Sequence, residues 1–196
     1  MKKRLLIIGL GGTIASVPTE DGLQPTMSVE EILAHLPMLK EEFDVELVSL
    51  YALESSDINC SVWVDIVEVI QDKYDDFDGF VITHGTDTLA YTASAITYMV
   101  QNPSKNIVLT GAQKPIGDVV TDGKRNLYDA CTFAIKNERS GVYVVFNGKV
   151  MFGNHVTKLY SRDFDAFHSV NIPAVASIED GIIRPYIDLV RREEDT

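Results

Sequence analysis

The chain has 196 residues, 45% hydrophobic and 23% charged, with a formal net charge of −12. That length suits one globular α/β domain with a sizeable core rather than two, and the acidic balance argues against a nucleic-acid surface, which needs clustered lysine and arginine. There is no run of some 18 apolar residues for a membrane span, and Cys60 and Cys131 lie far apart without metal or redox spacing, so both are expected to stay reduced and to serve packing.

Lys2-Lys3-Arg4 followed by residues 5–10 imitates a secretory leader, but the apolar run is short for one and reads as the first core strand. It ends in the glycine-rich turn Gly11-Gly12-Thr13-Ile14-Ala15. Residues 16–26, with Pro18, Gly22 and Pro25, read as a polar loop without periodicity, either a lid or plain surface. Ser28-Val29-Glu30-Glu31 is a capping box opening a short helix with Ile32, Leu33 and Leu36 on its apolar face. Residues 45–50 alternate like a strand and lead to the polar turn Glu54-Ser55-Ser56-Asp57. Ser61 is expected to cap a helix that turns Val62, Trp63, Ile66, Val67 and Ile70 inward.

Phe80-Val81-Ile82 is a strand of the kind covered on both faces, and it runs into the turn Thr83-His84-Gly85-Thr86-Asp87-Thr88. A helical pattern follows at Leu89, Ala93, Ile96, Tyr98 and Val100, with Asp87 as its expected N-cap. The polar residues thus sit at the carboxyl end of a strand, where open α/β sheets bind ligands. Read alone, Asp87 and Thr86 serve equally well as a cap and a turn residue. Residues 106–110 form another buried strand, ending in Gly111-Ala112-Gln113-Lys114-Pro115. Residues 125–136 read as a helix, and residues 142–146 and 149–152 as strands joined by an Asn147-Gly148 hairpin turn. The alternation predicts a three-layer α/β fold, a mostly parallel sheet with helices on both faces and a β-hairpin. Past the hairpin the pattern loosens: a polar, aromatic stretch reaches His168, a short strand is expected near Ile182-Ile183, and residues 191–196 form a charged tail.

The segments GGTIAS (from Gly11), HGTDTL (from His84), LTGAQKP (from Leu109), DGKRNLYDA (from Asp122) and HVTK (from His155) resemble, in this order, the L-asparaginase family of bacterial and archaeal amidohydrolases. The resemblance runs from residue 4 to about 186. It implies the amino-terminal catalytic domain of a cytoplasmic, cofactor-free, homo-oligomeric enzyme that hydrolyses L-asparagine, with L-glutamine less favoured, to the acid and ammonia. By likeness Thr13 attacks the amide carbon, and Thr86, Asp87 and Lys158 form the hydrogen-bonded group beside it. Substrate would be held by Gly12, Ser55, Ser56, Gly85, Asp87 and Ala112. Neither a metal nor a nucleic-acid or membrane partner is implied.

The chemistry is consistent with those residue types. Amide hydrolysis without a metal calls for an activated hydroxyl, a base for its proton and oxyanion donors. Lysine can be that base when its surroundings permit the neutral form. Two departures from the family pattern stand out. Leu23 occupies the place where family lids commonly carry a tyrosine, and the family's second domain has no counterpart, residues 187–196 reading as the start of a linker. A domain that binds aspartate or asparagine without useful turnover is the alternative. The asparaginase-like subunit of a tRNA-dependent amidotransferase is a further rival, for which the acidic chain offers no RNA-binding extension. His84, two residues before Thr86, reads as a packed residue rather than a base, and Gly9, Gly11 and Gly12 lack the third glycine of a dinucleotide turn, since Ile14 stands there.

Overall fold

Strand β1 (Arg4–Gly11) lies inside an eight-stranded sheet, buried from Leu5 onward. In this computed structural model, which describes residues 1–20 and 22–187, a short antiparallel hairpin follows, β2 (Val17–Thr19) with β3 (Gly22–Gln24). The hairpin replaces the irregular loop expected at residues 16–26. Most of its residues are exposed, so no burial pattern announces it. Ser28 caps helix α1 (Val29–Ala34) by the expected capping box, and Val29, Ile32 and Leu33 are buried. Helix α2 (Met38–Glu42) follows, then β4 (Asp44–Leu53).

Helix α3 (Cys60–Asp72) buries Val62, Ile66, Val67 and Ile70, while Trp63 is half-buried. Its cap is Asn59 rather than Ser61: the Asn59 Oδ1 accepts from the Ser61 amide at 3.0 Å and from the Ser61 hydroxyl at 2.7 Å. Cys60 is exposed at the start of this helix, which overturns the packing role expected for it, whereas Cys131 is buried. Strand β5 (Gly79–Thr83) leads to α4 (Leu89–Met99), β6 (Asn106–Thr110) to α5 (Gly123–Lys136), and β7 (Gly141–Phe146) turns directly into β8 (Lys149–Phe152). Asn147 and Gly148 take φ values of 49° and 70° in that turn, as two left-handed residues in a tight hairpin require. Strands β9 (Val156–Lys158) and β10 (Phe167–Ser169) pair in a small sheet of their own. A last hairpin, β11 (Ala176–Glu179) with β12 (Ile182–Pro185), extends the main sheet beyond β8. The charged tail expected at residues 191–196 lies outside the described residues.

The main sheet has the order β12-β11-β8-β7-β6-β5-β1-β4. From β4 to β7 neighbouring strands are parallel, and from β7 to β12 they are antiparallel. Alternate residues of one strand feed opposite cores, as the pleat dictates. Leu5 and Ile7 face α1, α2 and α5, whereas Leu6 and Ile8 face α3 and α4. The chain leaves β1 for β4 on one side and returns to β5 on the other, so the strand order reverses between β1 and β5. Such a reversal opens a crevice at the carboxyl ends of the strands.

One buried group works against the fold. Asp129 on α5 is almost enclosed, and its Oδ2 makes no hydrogen bond within the usual limits, although the Arg125 Nε lies 3.4 Å away. Burial pushes this carboxyl up to about 6 from 3.8, against the pull of the Arg125 guanidinium. The folded state therefore holds the proton more tightly than the unfolded chain. Stability from this group is greatest below about pH 4 and is lost as pH rises through 6. A rise of about two units corresponds to roughly 3 kcal/mol as an upper bound. Asp129→Asn is expected to melt above the wild type at pH 8, with the difference vanishing near pH 4. Thermal denaturation of both proteins at the two pH values checks this, and a variant less stable at pH 8 would contradict it.

Candidate active site

The site is built first from main chain. Beyond β1, the Gly12 amide donates to the Leu53 carbonyl at 2.9 Å, tying the β1 turn to the end of β4. Gly12 has φ +73°, and a Cβ placed there would lie 2.3 Å from the Gly85 Cα. Gly85 in turn has room for no side chain, since its Cβ would fall 2.6 Å from that of Ser55. The turns after β1 and β5 thus touch backbone to backbone, and the Gly85 main chain lies against the Ser55 side chain after β4, approaches that only glycine allows. Thr13 opens a single 3₁₀ turn with Ile14 and Ala15 buried beneath it. The turn after β6 closes the fourth side: the Ile116 amide donates to the Ile14 carbonyl at 3.2 Å.

Three of the expected catalytic side chains meet. The Lys158 Nζ donates to the Thr86 Oγ1 at 2.7 Å and to the Asp87 Oδ1 at 2.7 Å. Thr86 is buried at 5% exposure and the Lys158 side chain is 14% exposed, but that of Asp87 is 75% exposed. The ion pair is therefore solvated at its carboxylate end and orients the lysine more than it stabilises the fold. Asp87 does not cap α4 as expected. The cap position is Thr88, which makes no side-chain cap bond, and its hydroxyl donates instead to the Ser55 carbonyl at 2.6 Å. Tyr98 lies exposed on the outer face of α4, and Val100 falls just beyond its end. With Asp87 freed from capping, its carboxylate reaches Lys158.

Ser55 is buried in a 3₁₀ turn, and its Oγ accepts from the Asp87 amide at 3.3 Å. Ser56 beside it is exposed. Ala112 is completely buried, so what it offers a ligand is main chain. Asp122 holds the loop around it, accepting from the Gln113 amide at 2.9 and 3.0 Å and from the Lys114 amide at 3.1 Å. Burial raises the Asp122 carboxyl, and these amides hold it down. Lys114 itself points to solvent.

His84 is fully buried beneath the turn. Burial pushes its imidazole down to about 4, so it is neutral near pH 7. The Gly85 carbonyl, 2.6 Å from Nδ1, can only accept, which places the ring proton there; Nε2 then accepts from the Thr92 hydroxyl at 2.8 Å. Both nitrogens are spoken for, as a packed supporting residue requires.

Gln113 is the residue that motif reading passed over. Its Oε1 accepts from the Thr86 hydroxyl at 3.1 Å. The LTGAQKP motif contains it, but nothing in the local spacing shows that it reaches across to Thr86. A cavity of about 300 Å³ opens on the α1 side of the same strand ends, walled by Gly9, Ala15, Met27, Val29, Ser49 and Tyr51. None of these walls is a predicted site residue, and the titratable cluster lies outside it. Among the described residues no group of three or more His, Cys, Asp and Glu side chains could hold a metal, and no helix is long and apolar enough to cross a membrane.

Comparison with known proteins agrees with this fold. Residues 4–191 match the family model described as Asparaginase, N-terminal. An L-asparaginase of Thermococcus kodakarensis is 42% identical over 177 residues, which cover 90% of this chain and 54% of that protein. The solved structure of the thermostable L-asparaginase from Thermococcus kodakarensis superposes with a TM-score of 0.88 at 39% identity, over 94% of this chain and 56% of that one. A probable cytoplasmic L-asparaginase from Campylobacter jejuni superposes with a TM-score of 0.87 at 29% identity, over 97% of this chain and 59% of that one. The chain thus spans a little over half the length of these relatives. Its family model, its sheet and its identity to these proteins agree, and the chain belongs to the asparaginase family, matching that family's amino-terminal domain.

Proposed function

We propose that this chain hydrolyses L-asparagine to L-aspartate and ammonia by acyl transfer to threonine. The observation that carries the reading is the Lys158 Nζ held 2.7 Å from both the Thr86 Oγ1 and the Asp87 Oδ1, at the strand ends that also present Thr13. In this reading Thr13 adds through its hydroxyl oxygen to the side-chain amide carbon. Its proton passes to the Thr86 and Lys158 pair and from there to the leaving nitrogen, which departs as ammonia. Water then cleaves the acyl-threonine, with the same pair taking its proton, and releases aspartate. Ser55 and the exposed Asp87 carboxylate meet the substrate's α-carboxylate and α-amino groups. Likeness to the Campylobacter jejuni relative supports a cytoplasmic location, and homo-oligomeric assembly belongs to the same proposal.

One observation favours the second reading, binding without useful turnover. Leu23 on the exposed β3 brings no hydroxyl towards Thr13. Ammonia release from L-asparagine by the purified chain, with Thr13→Ala as blank, separates the two. Activity that disappears in the blank is the expected result. Aspartate raising the melting temperature with no ammonia released would replace hydrolysis with binding.

A further inference from the structure

The orientation of the Gln113 side chain is decided by its surroundings. Its Nε2 lies 2.9 Å from the Asp163 carbonyl and 3.5 Å from that of Tyr160, and carbonyls only accept, so the amide nitrogen faces this loop. The Oε1 therefore faces Thr86. An amide oxygen carries no proton, so the 3.1 Å contact is a bond that the Thr86 hydroxyl donates. Thr86 is left with its lone pairs towards Lys158, which donates to it.

The loop that sets this orientation is itself fastened. The Leu159 amide donates to the Ala166 carbonyl at 2.8 Å, and the Asp165 amide to the Asp163 Oδ1 at 2.8 Å. The Asp165 carboxylate takes two bonds from the Lys149 Nζ, at 2.6 and 2.8 Å, and a longer one from the Asn147 side-chain Nδ2. His168 stands 3.8 Å from the same carboxylate. The β7–β8 turn thereby holds the carbonyls that hold Gln113.

We propose that Gln113 is a positioning residue that directs the Thr86 O–H away from Lys158 and so sets which of the two carries the shared proton. With the hydroxyl committed to Gln113, Lys158 is the donor in the bond between them, and Asp87 orients it. Chemistry begins when that hydroxyl turns to a neutral Lys158. The inference rests on the proposed threonine mechanism for its kinetic readout, and it also makes a claim about Lys158 that needs no turnover.

Two variants displace the balance in opposite directions. Gln113→Glu keeps an acceptor oxygen at Thr86 but loses the bonds to the Asp163 and Tyr160 carbonyls, from which its second oxygen turns away on ionising; the added charge favours the ammonium, so the ascending limb of the kcat/KM pH profile is expected to move up by about one unit. Gln113→Met keeps the length but removes the acceptor. The hydroxyl is then free to donate to neutral Lys158, and the limb is expected to move down. The same comparison is made without substrate by labelling with acetic anhydride across pH and quantifying modified Lys158 by mass spectrometry. Labelling midpoints that move up for Gln113→Glu and down for Gln113→Met bear the inference out, even if the wild type releases no ammonia and the hydrolytic reading falls. Midpoints that coincide with the wild type in both variants overturn it, even if ammonia is released and the hydrolytic reading stands. A purely structural role for Gln113 would change melting temperature or KM and move neither midpoint in opposite senses.

Discussion

Thr86→Val is expected to lower ammonia release from L-asparagine by about four orders of magnitude, the scale seen when one member of a cooperating nucleophile and base set is removed. Valine matches threonine in shape, and the site is buried, so the exchange replaces one hydroxyl by a methyl. That hydroxyl is where Lys158 and Gln113 meet: it accepts from the first and donates to the second. Without it Lys158 retains Asp87, and the exposed carboxylate offers no path for a proton towards Thr13. The fold should lose about 2–3 kcal/mol, because two hydrogen bonds go and each is worth about 1 kcal/mol or somewhat more. Steady-state ammonia release alongside circular dichroism checks both parts. A folded Thr86→Val protein that turns over at the wild-type rate would remove Thr86 from the mechanism.

Gly12→Ala should be the most damaging change that touches no functional group. At φ +73° and ψ −177°, a region essentially restricted to glycine, alanine is strained by about 1–3 kcal/mol, and its methyl would stand 2.3 Å from the Gly85 Cα and 2.4 Å from the Gly85 amide nitrogen. Both obstacles are main chain, so neither can swing aside as a side-chain tip does. The β1 turn must move off the β5 turn, carrying Thr13 away from Thr86. A displacement of about 1 Å is enough to lower turnover about 100-fold. Gly22→Ala supplies the control. It has φ +108° but nothing within 4 Å, so it carries backbone strain without the collision. Turnover falling in the first variant and not in the second is the expected pattern, measured together with the melting temperature. Equal losses in both would place the effect in backbone strain alone.

In the parallel region β1, β5, β6 and β7 were legible because each carries an uninterrupted apolar run, with the residues of β5 and β6 buried throughout, and β4 because its residues alternate. The capping box at Ser28 was legible because both its partners lie within three residues. Legibility ended where the deciding contact is distant or the local signals compete. Asn59 and Ser61 are both good caps two residues apart, and the choice went to the asparagine, whose Oδ1 satisfies the serine itself. Asp87 looked like a cap because it precedes an apolar helix, but a lysine 71 residues away takes its carboxylate. β9 and β10 are three residues each and find one another across a polar loop, so neither has a pattern of its own. For the site, the family segments named Thr86, Asp87 and Lys158, and the fold brings these three side chains within hydrogen-bond distance. Gln113 escaped because its importance comes from carbonyls 47 and 50 residues further on.

The separation of Thr86 from Lys158 has a consequence for how the molecule tolerates change. Between them the chain lays down α4, β6, α5, β7 and β8, and the lysine reaches the threonine only after that whole circuit has closed. Closing that 72-residue loop is a non-local event of nearly the same span as the pairing of β1 with β5, where Leu5 meets Gly79. A substitution that loosens β8 or the Asn147-Gly148 turn can therefore silence the site without altering any residue in it. The short strand carrying Lys158 makes activity a report on the integrity of the far half of the sheet.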